Sequence, residues 1–189
     1  MRKASIHRRG SRRSGWWRRG RVEGMEEHRR DQRVEATCAV IVTSDARRPE
    51  TDETGREAIK LLEEAGHRVK TYMILRNEVE EIREAVSKLI ERDEIQVVIT
   101  SGGTGISSRD NTIEAVQSIL EKRIDGFGEL FRRLSYEEIG EAAILSRATA
   151  GIAKRKLIVC LPGSRRAVEL GLRRIVIPAL GHILWEANR

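Results

Sequence analysis

From Ala36 onward, short apolar runs alternate with stretches in which apolar residues recur every three or four positions. The first run, "ATCAVIVTSD" over 36–45, is rich in β-branched residues and predicts a strand ending in a polar turn. Ile59, Leu62 and Ala65 then share one helical stripe, and Gly66 supplies its stop signal. "HRVKTYMIL" (67–75) predicts a second strand, and Val79, Ile82, Val86, Leu89 and Ile90 form the face of a second helix. "IQVVITS" (95–101) predicts the third strand, with Ile113, Val116 and Leu120 facing inward from the helix behind it. Phe127, Leu130, Phe131 and Leu134 carry helical spacing again. "RATAGIAKRKLIVCL" (147–161) reads as two short strands joined by a basic turn at Lys154 and Arg155. Two helical segments follow, about 165–176 and 178–188, the second opened by Pro178 at a favoured first-turn position. Alternating strands and helices predict an α/β fold: a mainly parallel sheet with helices on both faces, carrying a short antiparallel hairpin.

In such sheets ligands bind beyond the carboxyl ends of the strands, where strand order reverses. Three predicted strands end in polar or glycine-containing turns: Thr43-Ser44-Asp45, Thr100 to Gly105, and Leu161-Pro162-Gly163-Ser164. The second turn, within "VVITSGGTGISSRDNTIEAV" (97–116), is not a Walker A loop, because no Gly-Lys-Ser/Thr follows. Nor is it a full dinucleotide fingerprint, since Ser108 stands where the third glycine belongs. Its physics still suits an anion. Gly102, Gly103 and Gly105 let backbone N–H groups approach closely, and the helix starting near Asn111 aims its positive end at the same place. Ser101, Thr104, Ser107 and Ser108 add hydroxyl donors, Arg109 is placed to pair with a phosphate or an acid, and Asp110 to bind Mg2+ or accept a proton. A plain turn in which Asp110 caps the helix fits the spacing equally well. Pro162-Gly163-Ser164 repeats the cradle logic, with Arg165 and Arg166 in an unfavourable first turn that a bound anion or neighbouring acids would relieve. Asp45, Asp52 and Glu53 lie in a loop at the same edge and suggest a metal ion bridging phosphates, or a solvated acidic loop.

The net charge of +7 belongs to one end of the chain. Residues 1–24 hold nine basic side chains against Glu23, and the remainder holds 27 basic and 28 acidic ones. Residues 1–35 read as a basic, disordered arm, or as sequence ahead of a start at Met25, and 36–189 as the domain. An arm with Trp16 and Trp17 could bind RNA or DNA phosphates and stack on bases, the less favoured reading. It lacks the apolar segment of a secretory signal, and no apolar run reaches membrane-spanning length. Cys38 and Cys160 sit inside apolar runs and read as buried free thiols of a cytoplasmic protein.

Four ordered blocks, "TSDARRPETDETG" (43–55), "TSGGTGISSRDNTIEAV" (100–116), "DGFGELFRRLSYEEIGEAAILSRATAG" (125–151) and "LPGS" (161–164), resemble the MoaB/MogA family of molybdenum-cofactor biosynthesis proteins, which includes the gephyrin G domain. "LSYEEIG" inclines toward the MoaB branch. The resemblance implies a three-layer αβα fold and binding of molybdopterin, a pterin dithiolene with a terminal phosphate. It also implies adenylylation of that phosphate by Mg-ATP, with release of pyrophosphate. Gly102, Gly103, Thr104 and Gly105, with Ser101, Ser107 and Arg109 beside them, would hold molybdopterin, and Pro162, Gly163 and Ser164 would form a second substrate loop. Asp110 matches the acidic position needed for activity, as catalytic residue or Mg2+ ligand, and Asp45 matches a further motif position. A homo-oligomer, trimer or hexamer, and a downstream molybdenum- or tungsten-insertion protein are the implied partners. One position departs: "ILRNEVEEI" carries Asn77 where the family usually has an aspartate, which opens the alternative of a pterin-binding or scaffolding protein without transfer activity.

Overall fold

The computed structural model describes residues 34–189, so the basic arm lies outside the described residues except for Val34 and Glu35. Six strands form one sheet: β1 (Thr37–Thr43), β2 (Arg68–Leu75), β3 (Val97–Ser101), β4 (Lys122–Arg123), β5 (Thr149–Ala153) and β6 (Lys156–Leu161), in the order β2-β1-β3-β6-β5-β4. The β2-β1-β3-β6 pairs are parallel, and β5 runs antiparallel to both β6 and β4. The helices are α1 (Glu53–Glu64), α2 (Val79–Glu91), α3 (Thr112–Gln117), α4 (Asp125–Ile139), α5 (Arg165–Gly171) and α6 (Ile177–Asn188).

The strand period of two places neighbouring residues on opposite faces. Val40 and Ile99 therefore pack with Leu61, Leu62, Phe131 and Leu180 on one side, while Ile41 and Val98 pack with Ile82, Val86, Ile113 and Val116 on the other. Two cores around one sheet make the expected three layers. Cys38 and Cys160 are buried free thiols, and burial pushes each up to about 12. The hairpin between β5 and β6 turns at Lys154 (φ 47°) and Arg155 (φ 63°); two left-handed residues match the twist of a tight hairpin.

Three local expectations change. Of the stripe expected on α1, Leu62 is buried and Ile59 half-buried against the same core, Ala58 and Leu61 join them, and Ala65 is exposed as the C-cap. Leu130 of α4 is exposed beside buried Phe127 and Phe131. The two C-terminal helices are one: α5 passes through a π-helical segment, Leu172–Val176, directly into α6. Pro178 cannot donate to the preceding turn, and a wider turn just ahead of it relieves the clash a regular helix would suffer. The two-residue β4 and the 3-10 turn Gly140–Leu145 carry too little periodicity to stand out in the sequence.

Candidate functional site

Strand order reverses between β1 and β3, and the loops leaving β1, β3 and β6 surround a cleft of about 470 Å3 there. The three polar turns singled out in the sequence therefore do converge. The cleft is lined by Thr43, Ser44 and Arg47 after β1, by Gly102, Gly103, Thr104, Gly105 and Asp110 after β3, and by Pro162, Gly163 and Ser164 after β6. Phe131, Ile139, Ala142 and Leu145 of α4 and its following turn give it one apolar wall.

The glycine loop is shaped by close approach. Gly102 (φ 108°) and Gly103 (φ 60°) are left-handed, and a Cβ on Gly103 would meet Asn77 Oδ1 at 2.5 Å and Thr43 Oγ1 at 3.2 Å. The Thr43 and Thr112 hydroxyls, 2.9 Å apart, lock the end of β1 to the start of α3. Arg147 braces the loop from outside, donating to the carbonyls of Thr104 (3.3 Å) and Asp110 (3.0 Å) while pairing with Glu114. That hydrogen bond from Arg147 holds the Glu114 carboxyl below its ordinary value. Among the described residues, none supplies an acceptor to the N–H groups of Gly103, Thr104 and Gly105. Unpaired amides at a cleft wall form an anion site.

Asp110 does not cap α3. Its Oδ2 accepts the Ser107 N–H at 3.0 Å, its own N–H closes the same turn on the Ser107 carbonyl at 2.9 Å, and the side chain lines the cleft. Among the described residues it is the cleft's single carboxylate, and no three of His, Cys, Asp or Glu gather into a metal site of their own. A magnesium ion suits such a place when substrate phosphates complete its ligands.

Other expected residues fall elsewhere. Ser101 is buried at the end of β3, its hydroxyl donating to the Pro162 carbonyl at 3.4 Å, and so ties two loops together. Ser107 uses its hydroxyl on the Arg109 N–H, 3.2 Å away. Arg109 and Asp45 line an adjoining depression of about 650 Å3, together with Arg76, Glu78 and Asn111. Asp45 accepts the Asn77 N–H at 3.0 Å. Asp52 and Glu53 do not join a carboxylate cluster at the cleft: Asp52 is fully buried as the N-cap of α1, and Glu53 is exposed on that helix. Arg165 and Arg166 pair with neighbouring acids, Glu57 and Glu138, each at 2.8 Å. Ser164 caps α5 by accepting the Ala167 N–H at 3.2 Å.

The structure gives the departing Asn77 a place and adds one residue, Arg47, that no pattern announced. Asn77 lines both the cleft and the adjoining depression. Its backbone is clamped by Asp45 and by Asn111 Nδ2, which donates to its carbonyl at 2.6 Å, and its Oδ1 is buried without a partner. Arg47, which spacing did not single out, is the cleft's basic side chain.

A mainly parallel sheet, a glycine loop with free amides at its switch point and one carboxylate at the loop's exit define an α/β protein with a cleft suited to an anion. A model of the "Probable molybdopterin binding domain" matches residues 39–182. The molybdenum cofactor biosynthesis protein B of Bacillus cereus is 46% identical over 166 residues, covering 87% of this chain and 98% of that protein. The Bacillus subtilis protein of that name is 41% identical with the same coverage. The tungsten cofactor synthesizing protein MoaB of Pyrococcus furiosus superposes with a TM-score of 0.74 at 36% identity, over 82% of this chain and 98% of that one. The chain belongs to the MoaB/MogA family of molybdenum cofactor biosynthesis proteins.

Proposed function

We propose that the chain acts in molybdenum or tungsten cofactor biosynthesis by binding molybdopterin and transferring AMP from Mg-ATP to its terminal phosphate. The observation that carries this reading is the set of amides on Gly103, Thr104 and Gly105, without acceptors among the described residues, on residues that line a cleft with one apolar wall. The amides suit a phosphate, and the wall of Phe131, Ile139 and Leu145 suits a flat heterocycle. The depression beyond Asn77 offers room for a second ligand, with the guanidinium groups of Arg76 and Arg109 set beside the carboxylates of Asp45 and Glu78.

In the reaction, an oxygen of the pterin phosphate attacks the α-phosphorus of ATP. The bond to the bridging oxygen breaks, and pyrophosphate leaves with the electron pair. The attacking phosphate is already ionised near neutral pH, so no strong base is required. The difficulty is repulsion between two polyanions, which fixed N–H donors and cations reduce while holding the reactants in line. Magnesium, when bound with the nucleotide, supplies charge neutralisation on its phosphates, and Asp110 is the residue that would hold it. Asn77 favours a second reading, a molybdopterin-binding or scaffolding protein without transfer, because it puts an uncharged amide between the two cavities.

Purified chain with molybdopterin and Mg-ATP tests the proposal by following adenylylated pterin and pyrophosphate, with Asp110→Asn as control. Product that vanishes in the control supports transfer. Pterin binding without product supports the second reading and makes Asn77→Asp the next variant, while absence of pterin binding removes both.

A further inference from the structure

We infer that Arg47 is the residue by which this cleft distinguishes a phosphorylated ligand from its dephosphorylated form, a step that rests on the anion-binding reading above. Among the described residues, Arg47 is the only lysine or arginine lining the cleft. Its neighbours are committed elsewhere: Arg165 to Glu57, Arg166 to Glu138, and Arg147 to Glu114 and two loop carbonyls. Arg109 faces the adjoining depression.

A guanidinium carries five N–H donors. Arg47 uses one on Nη1 for Thr54 Oγ1 (2.5 Å) and one on Nη2 for the Gly163 carbonyl (2.6 Å), which leaves three. The group is held from behind by a relay. Thr54 donates its hydroxyl to Asp52 Oδ1 at 2.9 Å, and Tyr72 donates to Asp52 Oδ2 at 2.6 Å. Asp52 stands 3.8 Å from Nη1 with its oxygens already taken, so it orients the cation without occupying the remaining donors. The same arginine joins the loops after β1 and β6 where they touch the glycine loop: a Cβ on Gly163 would lie 3.1 Å from Gly102 Cα. A fixed, planar cation beside free backbone amides binds phosphate through paired, charge-assisted hydrogen bonds. An uncharged ligand end gains none of this.

The test uses the full chain. Affinities for inorganic pyrophosphate, molybdopterin and dephosphorylated molybdopterin are measured for wild type and Arg47→Gln, with folding checked by heat denaturation. Loss of a charge-assisted bond predicts about tenfold or greater weakening for the first two ligands and under about twofold for the third. Equal weakening of all three would mean that Arg47 only braces a loop, and would overturn the inference. Phenylglyoxal labelling of the wild-type protein, read by mass spectrometry, avoids any folding defect. Pyrophosphate should shield Arg47, whereas an unshielded Arg47, or a wild type that binds no pyrophosphate, sinks the idea. Pyrophosphate shielding without molybdopterin binding would remove the pterin reading and leave this one standing.

Discussion

The loop after β1 and the loop after β3 share the residue types Ser, Thr, Asp and Arg and use their polar groups in opposite ways. In the first, Asp52 accepts from the Thr54 N–H and hydroxyl, the Gly55 N–H and the Tyr72 hydroxyl, so its polar groups close on one another. In the second, the N–H groups of Gly103, Thr104 and Gly105, residues that line the cleft, have no acceptors among the described residues. A satisfied polar cluster is scaffold, and an unsatisfied one at a cleft wall is a binding surface. Composition alone does not separate the two, because the difference lies in long-range partners such as Tyr72 and Arg147.

That contrast can be broken by substitution. The largest effect is expected at Asp110, where Asn keeps an acceptor for Ser107 but removes the charge. Transfer should fall about 100-fold while molybdopterin affinity changes under about threefold, measured as product formation against pterin binding. Gly102→Ala should come next. The φ of 108° and the Thr43 carbonyl beside the new methyl predict a loss of roughly 1–3 kcal/mol in denaturant unfolding, together with weaker pterin binding. An unchanged midpoint would remove the steric account of the loop.

Tyr72→Phe sharpens the other side of the comparison. It should lower stability by about 1–2 kcal/mol in the same assay while leaving pterin affinity within about twofold. The pH dependence follows from Asp52. Burial would raise its carboxyl, but hydrogen bonds from Tyr72, Gly55 and Thr54 and the charge of Arg47 outweigh burial and hold it below its ordinary value. A carboxyl lowered by folding stabilises the fold above its unfolded value, about pH 4, and that contribution drains away as pH falls through the lower folded value. The Tm of wild type should therefore exceed that of Asp52→Asn near neutrality, and the gap should close below about pH 4. Arg109→Gln is the mildest change, with molybdopterin affinity altered under about twofold because the side chain lies outside the cleft.

Much of the architecture was legible because it is written in short-range patterns. Val40 against Ile41, or Val97 against Val98, alternates sides with the strand, and the basic turn at Lys154 and Arg155 marks the hairpin. The convergence of three strand ends followed from fold logic, and Gly102, Gly103, Thr104, Gly105, Asp110, Gly163 and Ser164 do line the cleft. What escaped depends on partners far along the chain. Arg47 reaches Gly163, Arg147 reaches Thr104, and Tyr72 reaches Asp52, none at a spacing any helix or strand would mark. Asp52 and Glu53 looked like metal ligands because sequence shows charge but not which oxygens are already bonded.

The pairing of the sheet also sets a timetable for assembly. The β5–β6 hairpin closes over a two-residue turn, a local event that peptides complete in roughly 1–10 μs. The parallel pairs join distant segments: Cys38 lies against Val97, and Val97 against Leu157. Such contacts must overcome loop closure before they are rewarded, so they form slowly. The cleft draws its walls from the ends of β1, β3 and β6, with Arg47 reaching across to Gly163. On the ribosome, no binding site can exist until the segment near residue 164 has emerged and β6 has docked on β3. A partly made chain therefore lacks the complete cleft, and binding competence arrives in one late step.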